Sequence, residues 1–262
     1  MDILVSFVNS RYGYMASLVP NSMLLAYTAF KVAELYGKRG VGNNDKLYGQ
    51  HRLVVFVLML INLLIKCLYD VKGLYIYYSR QAEDQISMYI FSVLGNFRTM
   101  LVITVATYFA KSWHRSYTLF EETEESKRKH RIYCGLMFFI NTSTYLSVLL
   151  TPVYWVIGQL YPLTVMFGIF TMNLLLVTIA LAMTGRNFYS RVLNLLNYTG
   201  RSLKSSERFL RIYYLILVCC AMKCLEMGMT FALYLFDGWS SEIVYYVCDI
   251  MSLFIFRAFI EP

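Results

Sequence analysis

Six charged side chains fall inside stretches that are otherwise apolar: Lys66, Asp70, Arg98, Lys223, Glu226 and Asp249. A charge facing hydrocarbon costs ~3 kcal/mol even on the smaller insertion scales, so such residues should point inward and find partners. Lys66 and Asp70 are spaced i,i+4, and Lys223 and Glu226 i,i+3, which places each pair on one helix face. The six comprise three cations and three anions, enough for mutual neutralisation. Asn62 adds a polar group one turn before Lys66, and Asn96, Asn141 and Asn173 add others. Three kinds of chemistry suit this set. It can be a satisfied polar network that fixes helix packing, a ligand cavity or switch between two packed states, or a path for protons or ions. The last lacks its usual companion, apolar segments broken by Gly or Pro in matching halves.

The elements that must hold these charges are membrane spans. Of 262 residues, 58% are hydrophobic and 15% charged, and the mean hydropathy is +0.51. Soluble domains run nearer ~45–50% apolar and ~25% charged, so a bilayer is the expected solvent and partner. The 23 Tyr and 18 Phe suit packing between helices and at headgroup level. A spanning helix needs ~20 mostly apolar residues. That template gives spans near 14–36, 53–79, 86–110, 132–155, 160–184, 210–236 and 241–260, an all-α, polytopic seven-transmembrane-helix bundle in a single domain over 1–262. The first span is interrupted by Pro20, Asn21 and Ser22. Asp2 stands where a signal peptide would carry basic residues, so the first span is expected to stay in the mature protein.

Loop charge sets the orientation. The first loop carries Lys38, Arg39, Lys46 and Arg52. The third carries Lys111, Arg115, Lys127, Arg128, Lys129 and Arg131, and the fifth Arg186, Arg191, Arg201, Lys204, Arg208 and Arg211. The even loops hold Arg80 and the acids Glu83, Asp84, Asp237 and Glu242. Basic odd loops face the cytosol, which puts the N-terminus outside and the C-terminus in the cytosol. The net charge of +8 is thereby accounted for without nucleic acid as a partner. The third loop should extend as a solvated helix, with Glu124–Arg128 and Glu125–Lys129 as i,i+4 pairs. By the same topology the sequons at Asn141 and Asn197 should stay unmodified.

Enzyme chemistry is not expected. G-x-S-x-G, H-E-x-x-H and P-loop motifs are missing. The six cysteines all lie in apolar spans, and His51, His114 and His130 sit near loops, so neither a disulfide framework nor a metal or cofactor site is expected. The last span has no lysine for retinal, and the acid-Arg-Tyr and Asn-Pro-x-x-Tyr motifs of rhodopsin-like receptors are also missing.

Short motifs carry a family likeness. The third span ends Val105-Ala106-Thr107-Tyr108-Phe109, the fifth runs into Arg186-Asn187-Phe188-Tyr189, and Ser206-Glu207-Arg208-Phe209 precedes the sixth. The last reads Tyr246-Val247-Cys248-Asp249-Ile250, with Pro262 beyond it. Together these resemble the epsilon class of the alpha-type nematode serpentine chemoreceptors, although Lys111-Ser112-Trp113 replaces that class's Asp-Tyr-Glu. The resemblance implies a plasma-membrane, G-protein-coupled receptor for an unknown small-molecule ligand, acting in sensory signal transduction. It also implies heterotrimeric G-protein contact at the cytosolic ends of the third, fifth and sixth helices, where Lys111, Arg115, Arg191, Arg201, Lys204 and Arg208 lie. A second likeness is to the seven-pass plant membrane proteins needed for tobamovirus multiplication, carried by Gly185-Arg186-x-Phe188, Lys223-Cys224 and Tyr245-Tyr246. It implies the same topology in a vacuolar or other endomembrane, with a scaffold's role. A small transporter is the third expectation.

Overall fold

The structure is a computed structural model that describes residues 11–37, 46–79, 85–118, 123–199 and 204–236. These are helical almost throughout, and no strand occurs among the described residues. The helices are α1 Arg11–Gly37, α2 Lys46–Ser79, α3 Gln85–Thr118, α4 Glu124–Val148, α5 Leu150–Ile157, α6 Tyr161–Thr199 and α7 Lys204–Phe236. Among the described residues four stretches are long and apolar enough to cross a membrane: Leu53–Ile76, Gln85–Ser116, Glu124–Ile157 and Tyr161–Arg191. That makes an all-helical, integral membrane architecture. The expected seventh span, 241–260, lies outside the described residues.

The face pattern of α2 explains why a bilayer is its solvent. Val54, Ile61, Leu64, Leu68, Val71 and Tyr75 form an exposed apolar stripe, while Asn62, Lys66 and Asp70 lie on the buried side. In water the preference would run the other way. In lipid, apolar groups face outward at no cost and polar groups turn to the protein.

The fourth predicted span lies within Glu124–Ile157 and is interrupted at one residue. Pro152 has no N–H to give the carbonyl of Val148, and the helix breaks at Leu149, whose own N–H reaches Leu146 O at 3.1 Å. α5 stops at Gly158, which holds φ at +71° and donates to Tyr154 O at 2.8 Å. A side chain would be strained in that left-handed conformation. Only Gly158, Gln159 and Leu160 separate α5 from α6, and the two helices pack together.

Two further expectations shift. α6 runs on to Thr199, well past the predicted end at 184, because loop charge marks the membrane edge and not the helix end. At the start of α4, Glu124 pairs with Lys127 at 2.8 Å, not with Arg128, whereas Glu125 does pair with Lys129 at 2.6 Å. Thr123 caps this helix by accepting from the Ser126 N–H, so α4 begins with its acids in the first turn.

The described chain divides into two compact units. One contains α1, α2 and α3 as far as Leu101; the other contains the rest of α3 and α4 to α7. In the first, α1 packs on α2; in the second, α6 packs on α7, α4 and α5.

Candidate functional site

In the first unit the polar groups of three helices meet on α2. Asp70 is 2% exposed and Lys66 8%. Lys66 Nζ lies 3.4 Å from Asp70 Oδ1, as the helical spacing requires. The other carboxylate oxygen, Oδ2, accepts from Ser17 Oγ at 2.9 Å and from Asn21 Nδ2 at 3.3 Å, both on α1. Asn21 Nδ2 also donates to Ser17 O at 2.8 Å, so one amide steadies its own helix while reaching the neighbour. One turn before Lys66, Asn62 Oδ1 accepts from Arg98 Nε of α3 at 3.1 Å. Cys67 is buried beside this group, its Sγ 3.9 Å from Ser22 Oγ.

The consequence is a carboxylate compensated from both sides. A buried charge survives only when its lone pairs are occupied and an opposite charge is near, and Asp70 has both. Ser17 and Asn21 were not legible as partners. Their only sequence signal is that Pro20-Asn21-Ser22 interrupts an apolar span. Pro20 inside α1 withholds an amide from the backbone, and the polar side chains around it turn toward Asp70.

In the second unit, Lys223 and Glu226 form an ion pair one turn apart on α7, with Glu226 buried and Lys223 half-buried. Around them Thr230 Oγ1 donates to Glu226 O at 2.9 Å, and Cys224 Sγ lies 3.9 Å from Thr171 O of α6. Neutral contacts join the helices around them. Asn173 Nδ2 of α6 donates to Thr144 Oγ1 at 2.8 Å and Ser143 Oγ at 2.9 Å on α4. Asn141 Nδ2 donates to Thr107 Oγ1 at 2.9 Å, joining α4 to α3. Tyr213 of α7 donates to Ala182 O at 3.0 Å, its ring against Trp113 of α3. Gly185 makes that approach possible, since a Cβ there would stand 2.1 Å from the Tyr213 ring.

The six predicted interior charges therefore fall in different places. Lys66, Asp70 and Arg98 share the first unit, with Arg98 half-buried; Lys223 and Glu226 share a helix of the second. Asp249 lies outside the described residues. Of the predicted cytosolic contacts, Lys111 and Arg115 are exposed near the end of α3, and Arg191 is half-buried on α6. Lys204 and Arg208 fall in the first two turns of α7, and Arg201 lies outside the described residues. One grouping was missed: His114 and His130, which are remote in sequence terms, meet with their Nδ1 atoms 3.0 Å apart. Among the described residues no three side chains of the His, Cys, Asp or Glu type converge as metal ligands would.

The cluster can do two things chemically. It can hold α1, α2 and α3 in one register, or it can exchange a partner of Asp70 for a polar group of a ligand. No protein-family model, no curated protein and no solved structure matches this chain.

Proposed function

We propose that this protein is a seven-span membrane receptor, N-terminus outside and C-terminus cytosolic, in which the buried cluster around Asp70 responds to a small polar ligand and the basic cytosolic segment at 201–208 engages a G protein. The observation that carries the proposal is the cluster itself. Asp70 takes hydrogen bonds from α1 and a cation from α2, while the adjacent Asn62 takes Arg98 of α3. A ligand that replaces one donor changes which helices are tied, and so shifts a population between packed states. The alternation of loop charge supports the orientation.

Two measurements test this. A C-terminal reporter should reside in the cytosol, and a lumenal C-terminus would sink the receptor assignment. Reversing Arg201, Lys204 and Arg208 together should abolish stimulated nucleotide exchange on the G protein while leaving surface expression intact. Normal exchange with normal expression would remove that segment as the coupling site. The competing role is a packing scaffold, favoured by how fully the Asp70 oxygens are engaged. A scaffold would show no exchange activity under any stimulus.

A further inference from the structure

The corner where α3 ends and α4 begins is locked by aromatic side chains. Besides the His114–His130 contact, the Tyr133 ring stacks on His114 with centroids 4.1 Å apart, and Cys134 Sγ lies 3.5 Å from His130 Nε2. A bond between two Nδ1 atoms needs one N–H and one lone pair, so this joint is made by imidazoles that are not both protonated. It therefore fixes the helix ends together without adding two charges of its own.

Two full charges flank the joint. Lys111 and Arg115, one turn apart on α3, are exposed and act electrostatically on His130. Among the described residues neither has a carboxylate at ion-pair distance, and Glu124 and Glu125 pair with Lys127 and Lys129. The outer face of α4 gives the depth. It is charged and exposed through Arg128 and Arg131, then apolar and exposed from Ile132 through Leu136 to Phe139. The joint thus sits where hydrocarbon gives way to headgroups. From 111 to 131 the sequence holds six cations and four acids, so the total charge is small and placement decides what binds.

We propose that Lys111 and Arg115 form a site for the phosphomonoester headgroup of an anionic lipid, a phosphoinositide in chemical class. Two adjacent cations match a dianionic phosphate, whereas a phosphodiester or carboxylate would leave one charge over. The rigid histidine joint holds the two at fixed depth, so the lipid binds without the site having to be ordered first. This assigns Lys111 and Arg115 to the lipid and not to a G protein.

The test uses the full-length chain in nanodiscs of phosphatidylcholine doped with either a phosphoinositide or phosphatidylserine, at matched bilayer charge, reading retained lipid by native mass spectrometry. Nanodiscs expose both membrane faces, so the result stands whatever the orientation or signalling role. The wild type should retain phosphoinositide in preference to phosphatidylserine. Lys111→Gln with Arg115→Gln should lower that retention about thirtyfold, the size expected for two such contacts. Lys127→Gln with Lys129→Gln, which removes cations already paired to glutamates, should leave it unchanged. Equal retention of the two lipids by the wild type would overturn the site, and that arm needs no variant to fold. Full retention by the Lys111/Arg115 variant would overturn it as well. Soluble inositol trisphosphate binding as tightly as the lipid would overturn the lipid assignment in favour of a free phosphate.

Discussion

The two units of this chain solve the same problem, polar groups inside an apolar bundle, by different means. In the first, charges are balanced by charges and by hydroxyl and amide donors from a neighbouring helix: Lys66, Asp70, Ser17 and Asn21, with Arg98 on Asn62. In the second, the contacts described between helices are neutral, such as amide to hydroxyl, and the interior charged pair, Lys223–Glu226, stays within α7. Neutral contacts between membrane helices contribute modestly, ~0.6 kcal/mol on average, because the separated helices also find partners. A buried charge behaves differently. Its contribution is small while all partners are present and its removal cost is large when one is lost. The first unit is therefore the place where a small chemical change at a charge reaches more than one helix, whereas the interior pair of the second lies within α7.

The comparison breaks most readily at Asp70. Asp70→Ala leaves Lys66 buried without its acid and should destabilise the protein by about 3–5 kcal/mol, read as a fall in the detergent unfolding midpoint. Replacing both partners, Lys66→Met with Asp70→Leu, should restore most of that stability. If the single variant is no less stable than the double, the charges are not the determinant.

The next largest effect belongs to the second unit and is steric. Gly185→Ala puts a methyl carbon into the space held by the Tyr213 ring, at a cost of about 1–3 kcal/mol. Adding Tyr213→Ala should relieve the clash, so the double variant should lose less than the two single costs summed. Strict additivity in that unfolding cycle would show that the slot is not specific.

Smaller still is the neutral ladder. Asn173→Leu and Thr144→Val, combined in a double-mutant cycle, should show a coupling of ~1 kcal/mol, several times less than the Asp70 effect. A coupling as large as that at Asp70 would erase the distinction between the units. The smallest effect is at the surface. Glu125→Gln removes an exposed pair with Lys129 and should leave the unfolding midpoint unchanged within error.

Much of this was legible in the sequence, for reasons that can be named. Helical pairs such as Lys66–Asp70 follow from spacing alone, since i and i+4 share a face whatever the fold. Four of the seven expected spans reappear among the described residues as helices long and apolar enough to cross a membrane, which composition and length foretell. What depends on tertiary packing was not legible. Ser17 and Asn21 could be recognised as donors to Asp70 only once α1 lay against α2. The choice of Lys127 over Arg128 by Glu124 turns on rotamer and cap geometry, which spacing leaves open. The segment was legible as one span, and the break at Leu149 inside it has a signal in Pro152. The histidine joint had none, because His114 and His130 sit on different helices.

The arrangement of charges along α2, α3 and α7 also bears on how the chain is made. Helices enter the membrane in the order of synthesis, and each must be tolerable when it leaves the insertion machinery. Lys66 carries its acid one turn away on α2, and Lys223 carries Glu226 on α7, so each of these two cations is paired within its own helix. Arg98 has no acid one turn away on α3; positions 94, 95, 101 and 102 are Leu, Gly, Leu and Val. One of its bonds is to Asn62, on a helix made earlier. α2 is thus a chaperone in cis for α3, and the two should leave the translocon as a hairpin. In a glycosylation-mapping assay, α3 should insert less efficiently when α2 is replaced by a plain polyleucine helix, and restoring the single asparagine at position 62 should recover part of that insertion.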